Sequence, residues 1–396
     1  MPKTIAITPS WYWPANITRV VGVPPFTLQE HLLGRFARHR PDDVALMDDR
    51  MRVTGRELAA AVAAAATGLR QRSDGGRVIF CAGPSVEGVI LLLALTAAGV
   101  PAVAVPPEAP MAALTAVPAD LAVGDGVGAA ALASSGLTAV RLSELDVAPE
   151  PQPAPGLGDP VVALPSGADL AWHSNRSLLG AAISMNTFLG LDAQRPWLST
   201  LPLSTWDGMH AVFVGLDAGA TVLLAGPGDA ALDMIVREGA GTSWWALDAA
   251  VAATRDAKRQ VKNIRGVQQA LMLSAPKLFD PDERRRVGKL FGSPALTFFG
   301  LPETGPLFSS HLSWYIDESI GIPISNAFVV PVDPRSGNPI PTLWELVESA
   351  MVTAWCPGML EGYDGDSHPE RFRDNRFITG IIASSDANGM VYLLPD

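Results

Sequence analysis

Residues 163–179 read ALPSGADLAWHSNRSLL, and the interpretation of this stretch decides the fold. Val161–Leu164 is a short apolar run with the length of a buried strand, and from Ser177 the apolar spacing is helical. Between them, Ser166-Gly167 has the look of a phosphate-binding loop entering a helix. Such a loop works because glycines bring several backbone N–H groups onto one anion and a nearby cation completes the charge balance. Here only Ala168, Asp169, Leu170, Ala171 and Trp172 separate Ser166-Gly167 from His173-Ser174-Asn175, with no glycine cluster, threonine or lysine among them. The segment therefore reads as the two ends of such a loop joined by a five-residue shortcut, with Leu170 or Trp172 expected to cover the former phosphate position.

The segments on either side alternate between strand and helix. Upstream, Thr27–Arg40 has helical apolar spacing, with Thr27 and Glu30 set as a capping box. Thr54–Gln71 is an alanine-rich helix with Thr54 and Glu57 in the same relation. Strand Arg77–Ala82, helix Val86–Ala98 and strand Val100–Val105 follow, and a weaker round covers Asp120–Ala148. Downstream, strands at Trp197–Pro202, Thr221–Ala225, Thr242–Ala246, Ala270–Ser274 and Ala295–Phe299 alternate with helices at Ser177–Gly190, Met209–Ala218, Ala230–Glu238, Leu247–Arg259 and Pro281–Phe291. Strand–helix–strand repetition implies parallel sheets with crossover helices. The fold class is thus α/β: two doubly wound α/β lobes, at 1–150 and 151–312, joined through the Pro-rich 149–160, plus a small C-terminal β lobe at 313–396.

Composition narrows the possible functions. The chain has 396 residues, 48% hydrophobic and 17% charged, which suits a large packed core. A net charge of −11 disfavours nucleic acid and anionic membrane as partners. Gly99 and Pro101 break the apolar stretch at 88–107 into pieces too short to span a bilayer. Cys81 and Cys356 lie far apart in apolar company and read as free thiols. With no secretory signal visible in the first residues, the expected location is cytoplasmic.

Five motifs, in order and with similar gaps, resemble the large N-terminal domain of the adenylate-forming superfamily, which includes acyl-CoA synthetases, nonribosomal peptide adenylation domains and luciferases. They are TLQEHLLGRFARHRPDDVALMDDRMRVTGRELAAAVAAAATGLR, SVEGVILLLALTAAGVPAVAVPP, LPLSTWDGMHAVFVGLDAGATVLLAG, FFGLPETG, and CPGMLEGY followed by RFITGIIASSDANGMVYLL. The resemblance implies an enzyme that activates a carboxylate with ATP and passes the acyl group to a thiol. It also implies a lysine-ended phosphate loop, a Thr-Glu pair for phosphate and magnesium, a ribose-binding aspartate and a mobile C-terminal domain that carries a catalytic lysine.

Residue by residue, the machinery for ATP is depleted. Ser166 and Gly167 remain, but the loop between them and His173 is short. Glu303 stands at the position of the metal-associated glutamate, while Pro302 replaces the threonine before it and brings neither hydroxyl nor backbone donor. Thr379-Gly380 are retained, and Ile381 replaces the ribose-binding aspartate. Lysine occurs only at 3, 258, 262, 277 and 289, none matching a family lysine. The chain ends at Asp396, where the family's hinge would begin, so the mobile domain is expected to be absent. Losing one oxyanion-type donor costs roughly 10²–10³ in rate, and several losses together imply that the chain does not adenylate from ATP.

What remains points to acyl chemistry. His210, Glu303 and His173 are the candidate catalytic groups, with helix-end, lining or structural hydrogen-bonding roles as the alternatives. Thr205, Trp206, Asp207, Gly300, Leu301, Pro302 and Thr379 are candidate ligand contacts, with core packing as the plainer role for Trp206. No Cys/His grouping has zinc spacing. The expected function is that of a degenerate acyl-CoA-synthetase-like protein of biosynthetic metabolism. It would require no cofactor and would take a small-molecule acyl group, with CoA or an acyl-adenylate as substrate and a carrier protein or an adenylating paralogue as partner. A catalytically dead binding or scaffold protein and a repurposed acyl-transfer or condensation enzyme are the competing readings.

Overall fold

The computed structural model describes residues 13–395 apart from 74, 109–118, 120, 152, 168, 261–263, 265–267, 275–279, 341–346 and 365–367. In chain order it opens with α1 (Leu28–His39), β1 (Val44–Met47), β2 (Arg52–Thr54), α2 (Gly55–Ser73), β3 (Val78–Cys81), α3 (Val86–Ala98), β4 (Ala102–Ala104), β5 (Leu121–Gly124) and α4 (Gly126–Ser134). The middle contains β6 (Pro160–Ser166), β7 (Asp169–Ser174), α5 (Asn175–Leu189), β8 (Trp197–Ser199), α6 (Trp206–Ala218), β9 (Val222–Leu224), α7 (Asp229–Glu238), β10 (Thr242–Ala246), α8 (Leu247–Gln260), β11 (Ala270–Ser274) and α9 (Pro281–Phe291). Then come β12 (Ala295–Leu301), β13 (Gly305–Ser309), β14 (Ile322–Pro323), β15 (Phe328–Val332), β16 (Val347–Trp355), β17 (Gly362–Tyr363), β18 (Phe372–Arg373), β19 (Arg376–Ser385) and β20 (Val391–Leu393).

Local sequence accounts for many of these boundaries. Thr27 and Glu30 form the expected capping box on α1. At the start of α2 the Glu57 carboxylate accepts from both the backbone and the hydroxyl of Thr54. Ser85 caps α3 by accepting from Gly88 N, and Gly99 ends the helix in the left-handed conformation at φ 65°. Nearly every side chain of α3 is buried, which explains its lack of a polar face. No helix among the described residues is long and apolar enough to cross a membrane.

Three sheets result. A nine-stranded sheet runs β14-β13-β12-β11-β10-β8-β9-β1-β2, a six-stranded sheet runs β17-β7-β6-β4-β3-β5, and a five-stranded sheet has the path β15-β16-β19-β18 with β20 on β19. The strands from β12 through β1 of the large sheet are parallel, as are β6, β4, β3 and β5. The α/β class with a small β lobe is thus observed.

Sheet membership does not follow the sequence boundaries at 150 and 312. β1 and β2 leave the first segment and extend the large sheet through β9, whereas β6 and β7 of the second segment complete the six-stranded sheet through β4. Both exchanges are long-range pairings that bury apolar strand faces, and the Pro-rich stretch at 149–160 marks only a connection. The two sheets therefore interlock, and loops from both meet at one edge.

The stretch at 163–179 differs from the expected shortcut. β6 and β7 form an antiparallel hairpin in which Ser166 faces Asp169, and Gly167 turns the chain at φ 62°. Ala168 lies outside the described residues. Side chains alternate along β7. Leu170 and Trp172 pack on one face with Ile79, Cys81 and Val103, while Ala171 lies on the other with Leu360 and Tyr363. The expectation that Leu170 or Trp172 covers a phosphate position is therefore not met, because both face the opposite side of the sheet from Glu303.

Candidate functional site

Side chains from three parts of the chain converge at this hairpin: Ser166 and Asp169 of the hairpin itself, Glu303 between β12 and β13, and Tyr363, His368 and Arg371. Glu303, on the second, is 4% exposed. Its Oε1 accepts from the Ser166 hydroxyl, from the Tyr363 hydroxyl at 3.1 Å and from Arg371 Nη1 at 3.3 Å. Arg371 also donates to the Tyr363 oxygen at 2.8 Å and to Asp169 Oδ2 at 2.9 Å, and its guanidinium lies 4.8 Å from the Tyr363 ring centroid. His368 Nε2 stands 3.4 Å from the other Asp169 oxygen. Burial and the Glu303 charge push the Tyr363 phenol above its ordinary range, so it remains a donor.

This network leaves Glu303 Oε1 with little capacity to hold a magnesium ion. A carboxylate ligates a metal through free lone pairs, and here Oε1 of Glu303 is shared by three donors of the chain itself. Pro302 adds no N–H. The loop bearing Tyr363 is held as well, because Asp364 accepts a two-pronged ion pair from Arg77, which keeps its carboxyl below the usual range.

Ile381 and Thr379, expected from the resemblance to stand at a ribose position, are engaged within the β lobe. Ile381 is 4% exposed and belongs to the apolar cluster of Phe299, Leu307, Val352 and Cys356. Thr379 does not present a free hydroxyl: it donates to Val352 O at 2.7 Å and accepts from Ile381 N at 3.1 Å.

The histidines divide in role. His173 is fully buried, and its Nε2 is 2.6 Å from Pro302 O, so that nitrogen carries the proton and donates. Burial lowers its pKa to about 4, with the Pro302 bond opposing the shift, and the ring is neutral. His173 therefore ties β7 to the β12–β13 turn and has no free Nε2 for base catalysis. His210 is 2% exposed on α6 and burial drops its pKa to about 3. It stacks on Trp206 at 6.0 Å and meets Trp244 edge-on at 6.3 Å, while Trp206 also lies 4.8 Å from the His173 ring.

The remaining candidates are placed by this frame. Thr205 is the N-cap of α6, accepting from Gly208 N and donating to Pro202 O. Asp207 accepts from the Ser274 hydroxyl, and burial raises its pKa. A Cβ on Gly300 would lie 2.0 Å from Gly305 O, and one on Gly305 would lie 2.1 Å from the Trp206 ring, so both glycines are required by packing. Leu301 packs against the apolar groups below the turn.

Ser166, Glu303, Pro302 and His173 thus come together, as do Trp206, His210 and Gly305, whereas Thr379 and Ile381 belong to the β lobe. Sequence reasoning missed Asp169, His368 and Arg371. Arg371 lies 202 positions from its partner Asp169, a distance no local pattern spans. The signal open to reading was the unexplained charge at Asp169 in an otherwise apolar hairpin.

With fold and site in view, the chain has the architecture of the large domain of adenylate-forming enzymes. The sequence model of the AMP-binding enzyme family matches residues 33–123. A luciferase-like enzyme from the nonluminescent mealworm Zophobas morio superposes with a TM-score of 0.81 at 17% identity, covering 96% of this chain and 98% of that one. A long-chain-fatty-acid-CoA ligase from Archaeoglobus fulgidus gives 0.81 at 14% identity, covering 96% and 86%. The o-succinylbenzoate coenzyme A synthetase of Bacillus subtilis, in complex with AMP, gives 0.75 at 19% identity, covering 92% and 78%. Among curated protein sequences there is no match to the chain.

Proposed function

We propose that this protein handles an acyl group without activating it from ATP, receiving an acyl-adenylate or comparable activated acyl donor and passing the acyl group to CoA or a carrier-protein thiol. The observation that carries the first half is the Glu303 carboxylate shared among Ser166, Tyr363 and Arg371. Magnesium ligation by that shared oxygen would displace those donors and leave Arg371 and Tyr363 to find new partners, at roughly 1–3 kcal/mol for each buried group left unpaired.

The second half is supported by the aromatic cluster of Trp206, His210 and Trp244, which lies where the family resemblance implies acyl contacts. In the transfer, the thiol sulfur forms a bond to the acyl carbonyl carbon, the bond from that carbon to the adenylate oxygen breaks, AMP leaves, and the thiol proton passes to solvent. The thiolate is itself a strong nucleophile, so the step does not depend on the engaged His173.

Incubation with a synthetic acyl-adenylate and CoA, read by mass spectrometry, tests this. Thioester above the uncatalysed rate is expected, and no excess over background contradicts it. A binding or scaffold role is the second reading, favoured by the same engagement of His173 and Glu303 in internal bonds. Under it, calorimetry registers acyl ligand or carrier protein while no thioester accumulates.

A further inference from the structure

Charge is spread unevenly along the chain. Residues 255–289 contain ten Lys and Arg against four Asp and Glu, whereas the whole chain holds 29 against 40. Within this stretch lie the end of α8 and all of α9, which cover one face of the nine-stranded sheet. Ala250, Ala253, Val287 and Phe291 turn inward there, against Leu271 and Leu273 of β11.

The three consecutive arginines of α9 separate by direction. Arg284 is fully buried and donates to the main-chain oxygens of Ala295, Ile316, Asp317 and Ser319, which pins the helix. Arg285 is engaged by Asp282, Asp317 and Glu318. Arg286 pairs with Glu283 at 3.5 Å, but its side chain is 63% exposed and solvent screens the contact. Arg255 of α8 and Lys289 of α9 are exposed and make no ion pair among the described residues. Arg255, Arg286 and Lys289 line a groove of about 340 Å³ between the two helices. Val251 and Leu290, both half-buried against the core, give it an apolar floor.

Cations gathered on an otherwise acidic chain repel one another and are complemented by a negative partner. These three stand on long exposed stems, which suits carboxylates spaced along a surface better than one small anion held by fixed donors. The floor adds a seat for an aliphatic side chain. An acidic amphipathic helix meets both demands, with apolar residues at helical spacing and Glu or Asp beside them. A nucleic-acid backbone would leave the floor unfilled, and the described lining offers no aromatic ring for a base to stack on.

We propose that the groove between α8 and α9 docks an acidic amphipathic helix of a partner protein, its apolar residues on Val251 and Leu290 and its carboxylates on Arg255, Arg286 and Lys289. The surface shares no residue with the Glu303 network, and the inference does not depend on the acyl-handling role.

Fluorescence anisotropy with the full chain tests this. The probe is a labelled helical peptide of about 18 residues, with Leu at i, i+4 spacing on one face and Glu on its flanks. Micromolar binding is expected at about 50 mM salt, weakened about tenfold at about 300 mM. Arg255→Glu, Arg286→Glu and Lys289→Glu together should weaken it at least about tenfold. The same reversal at Arg38, Arg50 and Arg335, exposed cations on other parts of the chain, changes net charge equally and should weaken it less than about threefold. Lys289→Glu alone should act in the same direction as the first set, should that set fold poorly. A peptide with Gln in place of each Leu should bind at least about threefold more weakly. No binding of the acidic peptide, equal loss in the two reversal sets, or equal binding of the Leu and Gln peptides overturns the proposal. So does tighter binding of a DNA duplex or of phosphatidylserine vesicles.

Discussion

The Ser166 hydroxyl donates to the Glu303 carboxylate, tying the end of β6 directly to the turn between β12 and β13 across 137 positions of sequence. The contact joins the six-stranded sheet to the nine-stranded one. Three of the chain's own side chains share one oxygen of that carboxylate, Oε1.

Breaking this knot should destabilise the fold. Glu303→Gln removes the charge that Arg371 and Tyr363 address, and a loss of roughly 2–4 kcal/mol in urea denaturation is expected. Ser166→Ala should cost about 1 kcal/mol, and the double variant should cost less than the sum because the partners share one oxygen. Strict additivity would show that the two groups do not interact.

Restoring the family residue at position 381 should fail. Ile381→Asp places a carboxylate among Phe299, Val352 and Cys356, and a cost of about 3 kcal/mol or more is expected with no gain in nucleotide affinity. A variant as stable as the parent that binds AMP would mean that the ribose position is open.

Gly305→Ala combines backbone strain at φ 63° with a Cβ 2.1 Å from the Trp206 ring. Roughly 3 kcal/mol of destabilisation is expected from the overlap and the left-handed backbone together. Tryptophan emission should shift as the Trp206 ring moves; unchanged emission and stability would contradict the packing described.

Stability should fall on acidification. Burial lowers His173 to about 4 and His210 to about 3. The unfolded imidazoles take up protons as pH drops through about 6.5, whereas the folded ones stay neutral until much lower. Between those limits the unfolded state binds more protons, so folding weakens by up to about 1.4 kcal/mol per pH unit for each histidine. Above about pH 7 neither contributes a slope. Denaturant titrations across this range should show the decline, and His210→Phe should flatten it by about one histidine's share.

Much of the architecture is legible from local sequence because caps and apolar periods are local physics. The boxes at Thr27–Glu30 and Thr54–Glu57 and the break at Gly99 mark their helices correctly. β7 was legible too, since Leu170 and Trp172 alternate with Asp169 and His173 at the period of a strand. Reading the segment against a loop template hid that period. The sheet exchange of β1 and β6 and the Asp169–Arg371 pair depend on contacts between 60 and 202 positions apart, for which a single sequence carries no pattern. Likewise Pro302 reads as the loss of a hydroxyl, yet its carbonyl turns out to be the anchor for His173.

The proposed function requires that the chain's own residues close the nucleotide site. Isothermal titration of the full chain with magnesium–ATP tests it most directly: no binding at micromolar nucleotide is the predicted result, and saturable micromolar affinity would contradict it.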